Sequence, residues 1–313
     1  MDLSHGSPPE PSSPADRPGR LAVGLVGAGR AGSVIAAALA RVGHRTVALS
    51  AVSSASLERA GRRLPGTPIV PPDAVVAAAD LAVLAVPDDA LEPLVTGLAE
   101  VGAFRPGQLV VHISGAHGLG VLQPATRAGA LPLALHPIMT FSGRDEDESR
   151  LAGVHWGVTT VPELRPVGEA LVVEMGGEPI WVADSQRPLY HAALVVAANH
   201  LVTLINDAVD LLRAAGVEQP GVALAPLAGA ALDNALRSGD AALTGPVSRG
   251  DAGTVAGHLE ALRGRQPSAV AGYLAMARRT ADRAIAAGRL DPTTAEALLD
   301  VLGGPGTASP ERH

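Results

Sequence analysis

The residues with the clearest chemistry form a glycine-rich turn near the N-terminal end, Gly27-Ala28-Gly29-Arg30-Ala31-Gly32. The turn follows an apolar run at residues 21–26 and opens a helical pattern at residues 30–42, which is the context of a G-x-G-x-x-G phosphate-binding turn. Gly27 permits the tight turn, Gly29 lets the backbone approach a pyrophosphate, and Gly32 lets helix and strand pack closely. The helix start would present free N–H groups to the phosphates. The six residues of this turn are therefore predicted to bind a dinucleotide.

The residues after the glycine turn indicate which dinucleotide this is. No Asp or Glu occurs between Asp16 and Glu58, although NAD-binding units place one about 20 residues after the glycines to hold the ribose hydroxyls. Hydroxyl and guanidinium groups suit a 2′-phosphate, which a carboxylate would repel. The predicted cofactor is therefore NADP(H), held by Arg30 and by the serines after the second predicted strand, Ser50, Ser53 and Ser54.

Several polar residues follow later predicted strands. In a doubly wound sheet, ligands bind beyond the carboxyl ends of the strands. Val86, Pro87 and His112 are predicted cofactor contacts, Ser114 and His117 predicted substrate contacts, and His136 a catalytic candidate. A histidine at a strand end is also commonly structural, and that alternative stays open here.

A long apolar helical pattern after residue 184 carries His191, Asn199 and Asn206. At 100° per residue these three fall within an arc of about 80°. Buried polar groups need partners, which a ligand or other helices could supply. We expect His191 to be the proton donor and Asn199 to position a carbonyl or the nicotinamide amide. Tyr190 projects from the opposite side and is interpreted as a packing residue.

The sequence contains no lysine, so its 24 Lys and Arg residues are all arginine. Schiff-base chemistry and an amine proton donor are therefore excluded, and arginine cannot replace them because it does not deprotonate near neutral pH. In the glycine- and proline-containing loop at residues 242–251, Arg249 could hold a substrate carboxylate through two hydrogen bonds. A plain helix connection with an exposed arginine is the alternative.

Length and pattern predict two domains in 313 residues. Strands alternate with helices as far as residue 183, which predicts an α/β Rossmann-like domain with a doubly wound parallel sheet. Only helical patterns follow, which predicts an all-α C-terminal domain. The expected boundaries are a disordered leader at 1–18, the Rossmann-like domain at 19–183, the helical domain at 184–303 and a disordered tail at 304–313.

Composition argues against several classes of protein. The net charge is −7 and the basic residues are scattered, which disfavours nucleic acid and anionic membranes as partners. No cysteine is present, so disulfides and thiolate catalysis are excluded, and no metal site is predicted. No signal peptide and no run of about 20 apolar residues is recognised. The prediction is a cytoplasmic protein that does not span a membrane.

Six segments in order resemble one family: GAGRAG, AVPDDAL, HISGAHG, LHPIMTF, PLYHAALVVAANHLVTL and ALTGPVSRGDAGTVAGHL. Over residues 19–287 the chain is similar to oxidoreductases with a Rossmann-like domain and a DUF2520 domain, within the 6-phosphogluconate-dehydrogenase-like superfamily. Ketopantoate reductases, pyrroline-5-carboxylate reductases and prephenate dehydrogenases are similar proteins. The resemblance implies a homodimer formed through the helical domain. Members often have lysine just before the Tyr-His pair, where this chain has Arg187, which is predicted to orient a substrate carbonyl or carboxylate.

The leading functional prediction is an NADP-dependent reductase of a small carboxylated ketone, similar to ketopantoate. Arg249 and Ser114 would hold the carboxylate, and His191 or a strand-end histidine would protonate the developing alkoxide. A non-catalytic NADP-binding sensor or scaffold is a second hypothesis. An enzyme similar to prephenate dehydrogenase or pyrroline-5-carboxylate reductase, suggested by His136-Pro137-Ile138-Met139, is a third.

Overall fold

The computed structural model describes residues 19–303. The leader and the tail that are predicted to be disordered lie outside the described residues. The described chain divides into two compact units after Ala198, and each unit is described by itself below.

The first unit is a sheet of seven strands covered by helices. Its strands are β1 (Ala22–Val26), β2 (Arg45–Ser50), β3 (Leu81–Leu84), β4 (Leu109–His112), β5 (Leu131–Pro137), β6 (His155–Thr160) and β7 (Glu178–Trp181). Its helices are α1 (Arg30–Arg41), α2 (Ser54–Arg63), α3 (Pro72–Ala77), α4 (Asp88–Glu100), α5 (Gln123–Arg127), α6 (Glu146–Arg150), α7 (Arg165–Glu174) and α8 (Arg187–Val195).

The strand order is β2-β1-β3-β4-β5-β6-β7. Strand order reverses between β1 and β3, so the glycine turn after β1 lies at the switch point where doubly wound sheets bind ligands. The predicted α/β fold is thereby confirmed. One strand pair departs from it, because β6 runs antiparallel to β5. The connection between them contains only the short α6 and no long crossover helix, which parallel neighbours require.

The core of this unit lies on both faces of the sheet. Strand residues alternate between faces, so Leu25 and Val83 pack in one apolar cluster while Val26 and Leu84 pack in the other. Burial on both faces explains why the strands are continuous runs of Ala, Val and Leu. Close packing of α1 requires Gly32, since a Cβ there would lie 2.7 Å from the Ala85 Cβ.

The acidic segment at residues 144–150 is more ordered than a solvated loop. Asp147 is fully buried, and its carboxylate accepts hydrogen bonds from Ser142 Oγ at 2.9 Å and from the Gly143 N–H at 2.7 Å. Arg63 Nε donates to Glu148 Oε1 at 3.0 Å. One carboxylate of this segment thus organises the turn from inside.

The second unit is helical, as predicted. Its helices are α9 (Leu201–Ala214), α10 (Pro220–Ser238), α11 (Ala252–Arg265), α12 (Val270–Ala286) and α13 (Pro292–Gly303). Val255, Leu259, Ala281 and Leu298 belong to its core.

The helical stretch at residues 184–214 is interrupted by a π-helical turn, Val196–His200, between α8 and α9. The arc predicted for His191, Asn199 and Asn206 assumed 100° per residue throughout, and a π-helical turn departs from that value. The division between the units lies after Ala198 instead of at residue 183. The reason is that α8 is anchored to the sheet by Arg187, as described below.

The same stretch, Asp184–Ala214, is sufficiently long and apolar to cross a membrane, judged by length and composition alone. The mean hydropathy of its 18-residue window is 1.5, and none of that window is buried. Signal sequences and helices of soluble proteins can pass this test as well. The sequence-based expectation that no segment spans a membrane is therefore not confirmed by the structure.

Candidate functional site

The glycine turn has the geometry of a phosphate-binding turn. Gly27 has a φ of 95°, which favours glycine. The N–H groups of Gly27 and Ala28 donate to the Ser50 carbonyl at 3.2 and 3.0 Å, and the Gly27 N–H also contacts Ser50 Oγ at 3.2 Å. Ser50 therefore holds the turn itself in place.

The start of α1 is open. Gly29 is the N-cap residue, with no side-chain cap and no acidic residue in the first turn. A Cβ built on Gly29 would meet no atom within 4 Å. Uncapped N–H groups beside open space suit an anion such as a pyrophosphate.

A cavity of about 460 Å³ lies against this turn. It brings together several residues singled out in the sequence. These are Gly29, Arg30 and Ala31 of the turn, Val86, Pro87, Ser114 and His136 after the strands, and His191 of α8.

His136 and His191 contact the cavity as a pair. Their ring centroids are 6.2 Å apart, with an interplanar angle of 79°. Gly115 lies against both rings, since a Cβ there would be 2.7 Å from His191 Cδ2 and 2.9 Å from His136 Nε2. Only glycine leaves room for the two imidazoles. Gly115 could not be recognised as a site residue from the sequence, because the need for glycine there appears only when the distant rings are in place.

Tyr190 is the second residue that sequence reasoning missed. Its hydroxyl lies 2.8 Å from His136 Nδ1, so the interpretation of Tyr190 as a mere packing residue is wrong. The angular position of Tyr190 on α8 could not reveal this contact, because its partner His136 lies on β5. Burial, together with the charges of Arg187 and His191, lowers the pKa of His136 to about 4. The His136 imidazole is therefore neutral at neutral pH.

His112 and His117 organise the loop after β4. His112 is fully buried, and its Nδ1 accepts the Ser114 N–H at 3.2 Å. The proton must then be on Nε2, which donates to the Gly118 carbonyl at 3.0 Å. The Nε2 of His117 lies 3.1 Å from the Asp88 carbonyl. Neither contact supports the predicted ligand-binding roles of these two histidines, because the loop itself needs their hydrogen bonds.

Ser114 has a structural role as well as a place at the cavity. Its Oγ accepts the N–H groups of Ala116 at 3.2 Å and His117 at 3.1 Å. The hydroxyl hydrogen remains for a ligand.

Arg187 is completely buried beneath these residues. Its guanidinium donates to Thr159 Oγ1 at 2.8 Å, and to the carbonyls of Ser114 at 3.2 Å, Ala134 at 2.8 Å and Gly157 at 2.8 Å. A guanidinium has five N–H donors, and Arg187 donates four hydrogen bonds within the protein. The geometry therefore does not support the predicted contact with a substrate carboxylate, since the donors serve the carbonyls of three neighbouring segments.

Two other predicted site residues belong to the second unit. Asn199 is exposed on the π-helical turn, and its carbonyl accepts Thr203 Oγ1 at 3.2 Å. Arg249 is exposed at the end of a short 3-10 turn, Val247–Arg249. Their roles remain predictions.

The residues after β2 differ in their availability. Ser53 and Ser54 are both exposed, but Ser53 Oγ accepts the Ser56 N–H at 3.2 Å and so caps α2. Arg59 Nε is buried with no hydrogen-bond partner within residues 19–303. Arg62 and Arg63 instead pair with Asp145 and Glu148. Arg59 is thus the α2 arginine with unused donor capacity.

Two family models match the sequence, a Rossmann-like domain over residues 7–137 and a domain of unknown function, DUF2520, over residues 154–280. The chain therefore contains a Rossmann-like domain followed by a DUF2520 domain. The predicted resemblance is thereby confirmed. No relative is found among curated proteins.

Solved structures share the fold. BF3122 from Bacteroides fragilis, assigned as an NADP oxidoreductase, is 21% identical with a TM-score of 0.70, over 84% of this chain and 98% of that one. Pyrroline carboxylate reductase from Plasmodium falciparum with NADP bound is 12% identical with a TM-score of 0.54, over 86% and 98%. An imine reductase from Pseudomonas sp. is 18% identical with a TM-score of 0.60, over 90% and 99%. At these identities the likeness establishes the fold alone.

Acid should destabilise the first unit through its neutral histidines. Burial lowers the pKa of His112 to about 4, below the value near 6.5 of an unfolded chain. The unfolded state therefore binds more protons between these values, so stability is complete above pH 6.5 and is lost as pH falls toward 4. In His112→Gln, the slope of the free energy of unfolding against pH should decrease by up to about 1.4 kcal/mol per pH unit near pH 5. Urea titrations across this pH range measure the slope.

His200→Gln is the matched control, because His200 is exposed. An unchanged slope in His112→Gln would show that His112 is not held neutral in the folded protein.

Proposed function

We propose that the protein is an NADPH-dependent reductase of a small molecule with a C=O or C=N bond. The observation that carries this proposal is the presence of an open glycine turn and two imidazoles, those of His136 and His191, on one cavity. The named activities of the structural neighbours, an NADP oxidoreductase, a pyrroline carboxylate reductase and an imine reductase, support it.

The chain's residues fit the cofactor. The backbone of Gly29 and Ala31 would hold the pyrophosphate at the start of α1. Arg30, Ser54 and Arg59 would hold a 2′-phosphate through charge-assisted hydrogen bonds. When bound, NADPH supplies a hydride.

His191 is the proposed proton donor to the heteroatom that develops negative charge. No lysine is present to do this, and imidazole is the side chain suited to proton transfer at neutral pH. His136, being neutral, is suited to donating a hydrogen bond instead.

The substrate predicted from the sequence is a small carboxylated ketone similar to ketopantoate. Because the donors of Arg187 are engaged internally, the substrate carboxylate would depend on the Ser114 hydroxyl, which lines the cavity. The buried state of Arg187 also favours a second candidate, an uncharged imine, which needs no cation for binding. The imine reductase fold is consistent with that choice.

Preference for NADPH should depend on the segment after β2. In Ser54→Asp, the new carboxylate would repel a 2′-phosphate and could accept ribose hydroxyls instead. The ratio of NADH to NADPH dissociation constants should therefore fall by about tenfold or more. Fluorescence titration measures both constants, with Ser149→Asp on α6 as the control. Tighter NADH binding by the wild-type protein would contradict the assignment of NADP(H).

Reduction should depend on His191. NADPH oxidation is followed with a panel of 2-oxo acids and cyclic imines, and His191→Gln should lower kcat by about 100-fold or more while the affinity for NADPH is retained. His155→Gln, which changes an exposed histidine, is the control. Full turnover in His191→Gln would exclude it as the acid. NADPH binding without oxidation of NADPH by any panel member would favour the sensor hypothesis.

We further propose that the protein is a homodimer formed through its second unit. Within α9 and α10 the only buried residue is Pro220. Val222, Leu227 and Leu236 are 71%, 68% and 80% exposed. Apolar helices of this length are not normally left to water, and a second copy would cover them. Burial in a dimer would also agree with the predicted cytoplasmic location.

Leu227→Glu should shift the protein from dimer to monomer in light scattering, because a charge would be buried at the interface. Val101→Glu, at an equally exposed apolar residue of the first unit, should leave the dimer intact. A monomeric wild-type protein, or its recovery in the membrane fraction, would contradict the proposal.

A further inference from the structure

We propose that Tyr190 is a positioning residue that selects the tautomer of His136. Its hydroxyl donates to Nδ1, so that the Nε2–H of His136 is held at the cavity as a hydrogen-bond donor. This inference rests on the proposed reductase function and refines it, because it separates hydrogen-bond donation by His136 from proton transfer by His191.

The contact is well formed. Tyr190 Oη and His136 Nδ1 are 2.8 Å apart, and the rings meet edge to face at 90° with centroids 5.7 Å apart. The other ring nitrogen, Nε2, lies beside Gly115, which lines the cavity. The ring therefore joins Tyr190 on one side to the cavity on the other.

The hydroxyl proton of Tyr190 is available for this bond. Burial raises the pKa of Tyr190, against the opposing effects of the Arg187 charge and of a hydrogen bond from the Gly157 backbone, so the phenol stays protonated. A Cβ at Gly157 would lie 2.5 Å from Tyr190 Oη, which shows how closely β6 approaches. The protonated phenol therefore has a hydrogen to donate to His136 Nδ1, 2.8 Å away.

The groups that face His136 keep it neutral. The Arg187 guanidinium and His191 disfavour a positive charge on His136, and the Asp88 carboxylate opposes their effect only in part. A neutral imidazole carries one proton. With a donor fixed at Nδ1, that proton must be on Nε2.

The consequence is a requirement on the substrate. An Nε2–H group needs an acceptor, so the substrate atom that it contacts must offer a lone pair. A ketone oxygen or an unprotonated imine nitrogen does so, whereas an iminium N–H does not. A neutral donor polarises the double bond without transferring its proton, which leaves that step to His191.

The tautomer can be measured without turnover. In protein labelled with ¹⁵N-histidine, long-range ¹H–¹⁵N NMR spectra distinguish protonated from unprotonated ring nitrogens. The His136 signal is identified by its loss in His136→Gln. We expect an Nε2–H imidazole that does not titrate between pH 5.5 and 8, and in Tyr190→Phe a signal shifted toward a mixture of both tautomers.

The chain supplies a matched control. Its other tyrosine, Tyr273, makes the same kind of contact, with Oη 2.9 Å from His258 Nδ1 in the second unit. Tyr273→Phe removes an equivalent hydroxyl and should leave the His136 signal unchanged. Circular dichroism and NADPH affinity show that each variant is folded.

With a substrate in hand, Tyr190→Phe should lower kcat about tenfold or more, with NADPH affinity unchanged, and Tyr273→Phe should not. A wild-type His136 signal with the proton on Nδ1, or one unaltered in Tyr190→Phe, would overturn the inference. Absence of turnover with a normal Nε2–H signal would count against the reductase proposal alone.

Discussion

The buried guanidinium of Arg187 is the interaction on which the site depends. It donates to backbone carbonyls of Ser114, Ala134 and Gly157, which belong to three segments far apart in sequence. Burial lowers the pKa of Arg187, yet no carboxylate pairs with it in these contacts. Carbonyl dipoles compensate the charge, which the Asp184 carboxylate also favours, and each charge-assisted hydrogen bond contributes about 1.5–3 kcal/mol.

This anchoring has a direct effect on the chemistry. Tyr190 and His191 follow Arg187 within one turn of α8, so fixing the guanidinium fixes where both side chains meet His136. The Arg187 guanidinium lies 5.6 Å from the Tyr190 ring and helps to keep His136 neutral. One buried charge thus provides both the position and the electrostatics of the cavity, and Arg187 is a scaffold residue here.

Most of the fold could be predicted because its signals are local. The apolar runs of β1, β3, β4 and β5 and the glycines of the turn specify strand, turn and helix within about 20 residues. The antiparallel β6 could not be predicted, because its direction depends on the path of the whole connection after β5. The π-helical turn at Val196–His200 was also hidden, since a run of apolar residues suits a regular α-helix equally well.

For the site, the sequence by itself determined the phosphate-binding turn, the lack of a carboxylate after it, and the lack of any lysine as proton donor. These are properties of residue types at short spacing. Only the tertiary structure decided that His112 and His117 serve their own loop, that His136 and His191 share a cavity, and that Tyr190 contacts His136. The reason is physical: the protonation state and availability of a side chain depend on burial and on hydrogen-bond partners. For His117 and Tyr190 those partners lie 29 and 54 residues away in the sequence.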